Sequence, residues 1–213
     1  MEKCTLYGHA NLFSLQTLRM MELLKRHDPH SFAHSVQTTS YFIDFCLHYN
    51  FQSLLRRRFL ESVLLHDIGK LLLPKEILQK ETPLTLDEKE YVERHPEFGI
   101  ELLNDYPDID IEPSLILNHH ENSDGTGYPY QLIDEQIPRS VKILRVIDSF
   151  IAMTSDRIYR PKLSDQSAIQ EMSVHQNNFY DPYSTSLFIS YLEKRLKGKK
   201  TLLHYFDYVK RQN

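Results

Sequence analysis

Five imidazoles and two carboxylates stand out by type and spacing: His34, His66, Asp67, His95, His119, His120 and Asp148. His66 and Asp67 are adjacent at the end of an apolar run, LESVLLHDIGK. Neighbouring helix residues point about 100° apart, so both reach one centre only if it lies over the end of a helix and other elements add ligands. Gly69 then lets the backbone turn away. His95 in ERHPEFG and the pair in LILNHHEN again stand beside proline or glycine or near a loop, where a helix ends or bends and side chains can converge. Asp148 sits in the apolar helix pattern KILRVIDSFIAMT, where a buried carboxylate needs a cation or donors. His34, early in a helix, offers one more imidazole.

Seven such groups with no cysteine among them are too many for one four-coordinate metal and suit two metals that share a carboxylate. Iron or manganese fits this donor set first, with zinc and nickel as further candidates. Two ions roughly 3.5–4 Å apart can hold a bridging hydroxide and clamp both oxygens of an in-line displacement at a phosphate ester. Bound water then loses its proton near a pKa of about 7 instead of about 15.7.

The elements that must position these groups are helical. Leucine and methionine recur at near-helical spacing from Leu12 to Leu24, stopping before Asp28-Pro29. A second helix is expected from Ser31 as its N-cap to Tyr49, and a third from Ser53 to Gly69. Thr85 and Glu88 form a capping box for a helix that must tolerate or kink at Pro96, and Pro113 opens a short helix ending at the tandem histidines. Residues 121–138 carry turn formers and read as a loop. Helices follow over 139–155 and 165–175, the latter capped by Ser164, and another begins near Pro182. Alternating β patterns are weak, so the expected class is all-α.

With 213 residues, 41% of them hydrophobic, the chain can build one substantial core. A net charge of −4 argues against a general polynucleotide binder. No run of about 18 apolar residues and no secretory signal pattern is present, so no membrane span and a cytoplasmic location are expected. Cys4 and Cys46 are read as one terminal and one buried thiol. His9, His27, His48, His175 and His204 lack motif context and are read as structural or exposed.

The ordered series HDIGK, HPEFG, HHENSDGTGYP and IPRSVKILRVIDSFIAMTSDRIYR closely resembles the HD-GYP family of HD phosphohydrolases, over about residues 28 to 185. That resemblance implies an HD-type all-α bundle with additional C-terminal helices and a GYP loop. It also implies metal-dependent hydrolysis of cyclic di-GMP to linear pGpG, with a further cut to GMP left open. The division implied is an N-terminal helical appendage at 1–27, a catalytic domain at 28–196 and a tail at 197–213. By motif, Asp67 bridges two metals, with His34, His66, His95, His119, His120 and Asp148 as the other ligands. His30 stands where members with a third metal carry glutamate, which favours a two-metal site. Gln131 replaces a frequent glycine and Ile158 a usual proline.

Substrate contacts follow from the same resemblance. Lys70 is placed to neutralise a phosphate oxygen, or alternatively satisfies a helix C-terminus. Arg157 and Arg160 match basic contacts to phosphate and guanine, or are solvated charges. Tyr128 stacks on a base or packs the loop. Glu121 is expected to accept from a ligand imidazole, and Asp124 to make an Asx turn with Gly125. The remaining alternatives are a non-hydrolysing cyclic di-GMP receptor or scaffold, a diguanylate cyclase partner contacted through the GYP loop, and another substrate such as cyclic GMP-AMP.

Overall fold

The structure, a computed structural model, describes residues 12–156 and 161–198. Ten α-helices are present among the described residues: α1 (Leu15–His27), α2 (Pro29–His48), α3 (Arg57–Leu64), α4 (Lys75–Leu78), α5 (Leu86–Val92), α6 (His95–Leu103), α7 (Pro113–Leu117), α8 (Arg139–Thr154), α9 (Asp165–Val174) and α10 (Pro182–Gly198). Short 3-10 turns occupy Gln52–Leu55, Ile68–Leu72 and Asp134–Gln136. The fold is all-α, as the sequence patterns require. An isolated bridge between Asp124 and Ile133 is the β pairing recorded among the described residues.

Local chemistry explains where these helices start. Asp28 caps α2 by accepting from the amides of His30 and Ser31, and Pro29, with no amide proton to satisfy, opens the first turn. Ser31, expected as the cap, instead donates its hydroxyl to Asp28 at 2.6 Å. The Thr85–Glu88 capping box forms on α5 as expected, and Ser164 caps α9. Pro96 does not kink a continuous helix. The chain breaks at Glu93–Arg94 and restarts as α6, with Pro96 in its tolerated first turn.

The third expected helix is also interrupted. α3 ends at Leu64, and His66 and Asp67 lie in the turn that follows, ahead of the 3-10 turn Ile68–Leu72. A close approach compels this route: a Cβ on Gly69 would lie 1.9 Å from the carbonyl oxygen of His95 and 2.4 Å from the amide nitrogen of Gly99. Only a bare backbone lets the HDIGK turn lie against α6. The glycines of the two motifs therefore touch each other.

α2 and α8 pack together at the centre, with α1 and α3 against α2 and α9 and α10 against α8. Phe42, Phe45, Phe150 and Phe188 are fully buried between them. Met20, Met21 and Leu24 of α1 join the same core, so the described part of the expected appendage is packed against the bundle. Cys46 is a buried free thiol, and burial pushes its pKa up. Arg157, Ile158, Arg160, Cys4, His9, His204 and the tail from residue 199 lie outside the described residues. No described helix is long and apolar enough to cross a membrane.

Candidate metal centre

Each of the three most buried histidines of the cluster is oriented by the same device. Nδ1 of His66 donates to the carbonyl of Val63, that of His95 to Val92 and that of His119 to Ile116, each at 2.8 Å. A carbonyl can only accept, so each Nδ1 carries a proton, and in the neutral ring Nε2 is left with the lone pair. The partner is always three residues earlier, where a helix or turn has just ended with free carbonyls. Helix termination thus aims the imidazoles.

Those lone pairs converge on Asp67. Its Oδ1 lies 3.2 Å from Nε2 of His95 and 3.8 Å from that of His119, while Oδ2 lies 3.6 Å from Nε2 of His66. Donor atoms of Asp67, His95, His119 and His120 fall within 4.8 Å of one another, as do those of His34, His66 and Asp67. Asp67 belongs to both sets. Asp148, brought in from α8, accepts from Nε2 of His34 at 2.6 Å and lies 3.5 Å from His66. All seven expected side chains are therefore brought together.

The donors fit divalent cations. Nε2 of His66 and Oδ1 of Asp67 are buried without a hydrogen-bond partner, and Nε2 of His95 faces Nε2 of His119 at 3.2 Å. Two facing lone pairs and an orphaned carboxylate oxygen repel each other, and a cation relieves the repulsion. Burial lowers the pKa of His95 and lowers those of His119 and His120 well below the usual value, so these rings are neutral. Burial also opposes charge on His66, but Asp67 and Asp148 outweigh it and raise its pKa. Burial works against the charged form of Asp67, yet Lys70 and His66 hold its pKa well below the carboxylate range. His34 and His66 do the same for Asp148 against its burial.

Two cavities flank the cluster. One, of about 910 Å³, is lined by His34, Asp67, Lys70 and Gln37 among others. The other, of about 500 Å³, is lined by His120, Tyr128, Asn122 and Arg145. Lys89 and Val92 border both. Lys70 extends along the Ile68–Leu72 turn so that Nζ donates to Oδ2 of Asp67 at 2.7 Å. Tyr128 stacks on His120 with ring centroids 4.7 Å apart.

The GYP loop is held differently from expectation. Glu121 does not accept from a ligand imidazole: its two oxygens accept from the backbone amides of Tyr130 at 2.7 Å and Leu132 at 3.0 Å. A buried carboxylate with two amide donors nearby satisfies them first. Asp124 does form the Asx turn, accepting from the amide of Thr126 at 3.0 Å. A Cβ on Gly127 would lie 2.3 Å from the amide nitrogen of Asn122, so this glycine lets the loop fold back across the HHE segment. Arg145 and Gln37 escaped the sequence reading. A lone arginine in the apolar stretch of α8 was the signal for the first, and no pattern marked the second. His27 contacts the carbonyl of Leu73 and His175 stacks on Phe179, in line with structural roles.

An all-helical domain that gathers histidines and aspartates from helix ends and from the central helices α2 and α8 into one cluster suited to divalent metals defines the class of protein. The HD domain family profile matches residues 19–183, and the chain belongs to that family, with the motifs of its HD-GYP subset. A cyclic di-GMP phosphodiesterase of Pseudomonas aeruginosa is 35% identical over 167 residues, 78% of this chain and 40% of that protein. A 3'3'-cGAMP-specific phosphodiesterase of Vibrio cholerae is 30% identical over 140 residues, 65% of this chain and 27% of that protein. The chain thus spans less than half the length of these curated relatives. A solved HDG"Y"P protein from Bdellovibrio bacteriovorus shares the fold with a TM-score of 0.60 at 16% identity, over 75% of this chain and 51% of that one.

Proposed function

We propose that this chain hydrolyses cyclic di-GMP to linear pGpG at a dinuclear divalent-metal site, within a catalytic domain spanning 28–196 between the segments 1–27 and 197–213. The observation that carries the reading is the shared position of Asp67 in two donor groups, one with His34 and His66, the other with His95, His119 and His120. Asp148 completes the first group beside His34 and His66. Iron or manganese suits these donors best. Bound there, divalent cations supply Lewis acidity and activate water near neutral pH.

The chain's own residues do the rest. Lys70 stands beside Asp67 at the wall of the larger cavity, where its ammonium meets a phosphate oxygen as negative charge develops. Water adds to phosphorus, the bond to the 3′ oxygen breaks, and the proton goes to that oxygen, leaving a 5′ phosphate on the linear product. Arg157 and Arg160 are proposed to hold phosphate and guanine, and Tyr128 to offer its ring to the substrate side of the cluster. The cytoplasm, where a nucleotide messenger is found, is the proposed location. Tyr130 and Ile133, exposed beside the GYP loop, suit a protein contact for which a diguanylate cyclase is the proposed partner.

The test is reconstitution with Mn(II) or anaerobic Fe(II), elemental analysis, and chromatography after mixing with cyclic di-GMP. About two ions per chain and release of pGpG are expected. Tight binding with no product would make the chain a receptor. The similarity to a cGAMP-specific phosphodiesterase supports a second reading, cleavage of cyclic GMP-AMP, and the same assay run with both dinucleotides decides between them.

A further inference from the structure

Arg145 carries a charge that no carboxylate neutralises among the described residues. Its Nε and Nη2 donate to Oδ1 of Asn122 at 3.2 and 2.8 Å, and its Nη1 donates to Oγ of Ser149 at 2.5 Å. Both acceptors are neutral. Asn122 is itself fixed, donating to Oγ1 of Thr126, which donates to Asp124. Three of the five guanidinium N–H donors are thus used for positioning, and two remain. The guanidinium is half-buried over Tyr180 and lines the cavity of about 500 Å³ that reaches His120.

A fixed, un-neutralised cation beside a centre that gathers divalent cations is electrostatically unfavourable unless an anion joins it. A planar fork with two spare donors matches two oxygens of a phosphate. A phosphodiester at the cluster has two ester arms, so a dinucleotide must extend to both flanks of the reacting phosphorus. One flank holds Lys70 and the larger cavity; the other holds Arg145.

We propose that Arg145, held by Asn122 and Ser149, forms a subsite on the His120 flank for the second, non-reacting phosphate of a dinucleotide ligand. This rests on the dinucleotide reading of the site. Arg145 selects two-phosphate substrates over simple diesters without taking part in the bond change. It is a binding residue that holds the ligand in register at the cluster.

The test compares the full metal-loaded chain with Arg145→Gln, which keeps a neutral partner for Asn122, and Arg145→Lys, which keeps charge without the fork. Substrates are cyclic di-GMP and bis(4-nitrophenyl) phosphate, which has one phosphate only. R145Q is expected to raise KM for the dinucleotide by about tenfold or more with a much smaller change in kcat. R145K should be intermediate. The efficiency ratio of dinucleotide to simple diester should fall by about tenfold in R145Q. Equal losses for both substrates, whether from misfolding or from damage to the cluster, overturn the proposal, as does an unchanged KM. Should the wild-type chain leave cyclic di-GMP uncut, the functional reading fails, and the subsite is then decided by calorimetry with 5′-GMP. About tenfold weaker binding in R145Q supports it, and equal affinity overturns it.

Discussion

Lys70 and Asp67 form a nearly buried ion pair, Nζ to Oδ2 at 2.7 Å, on the same oxygen that faces His66. The ammonium therefore competes with any cation that Asp67 is to hold. Removing it should move metal affinity and turnover in opposite directions. In Lys70→Ala, metal affinity is expected to rise by up to about fivefold, the scale of one partly exposed ion pair. Turnover of cyclic di-GMP should fall by about 10²- to 10³-fold, the loss typical of a removed charge-stabilising donor. Metal titration followed by steady-state kinetics on the same preparation reads both. A parallel loss of metal and activity would make Lys70 a prop for the cluster instead.

Gly69→Ala tests the contact that joins two motifs. Its Cβ would meet backbone atoms of His95 and Gly99, neither of which can rotate aside. Overpacking of this kind costs about 1–3 kcal/mol when side chains give way, and more when backbone must move. We expect a destabilisation of about 3 kcal/mol or more in chemical denaturation, with metal content falling in the protein that remains folded. Gly99→Ala should be milder, because its nearest neighbour is a methyl of Ile116 at 3.1 Å. If G69A melts like the wild type, the close approach is not what holds the HDIGK turn.

Much of the site was legible because metal ligands need particular residue types beside helix ends, and helix ends leave proline, glycine and turn signals in a sequence. His66, Asp67, His95, His119 and His120 each carried such a signal. Asp148 was legible for the opposite reason, as a charge inside an apolar period. The break after Leu64 was not legible, since LESVLLHDIGK keeps helical spacing through residues that leave the helix. What ends it is tertiary, the approach of Gly69 to α6. Arg145 was hidden because long basic side chains also occur at the edges of buried helices with no ligand to meet.

Glu121 was placed beside the right loop with the wrong partner, and that difference can be measured. In Glu121→Ala the amides of Tyr130 and Leu132 lose both acceptors, and each bond to a charged group contributes about 1.5–3 kcal/mol. The loop is expected to loosen locally by about 2 kcal/mol or more while the cluster keeps its metals. Hydrogen exchange should accelerate over 126–134 and leave α2 and α8 protected. If metal is lost before the loop opens, Glu121 acts on the imidazoles after all.

Gln131 offers the last test. It stands where the related motif often has glycine, and its φ of +54° lies in the left-handed region that disfavours a side chain. It is exposed, so nothing packs against it strongly enough to offset a strain of about 1 kcal/mol. Against that gain, glycine gives the unfolded chain more freedom, worth about 0.4–1 kcal/mol. Gln131→Gly should therefore be neutral to slightly stabilising, by no more than about 1 kcal/mol. Gln131→Val, β-branched at the same dihedral, should be destabilising, and the pair of melting temperatures reads the sign. A valine variant as stable as the glycine one would mean that the loop relaxes out of the left-handed turn, and the hold of Glu121 on the flanking amides would then be weaker than its two hydrogen bonds imply.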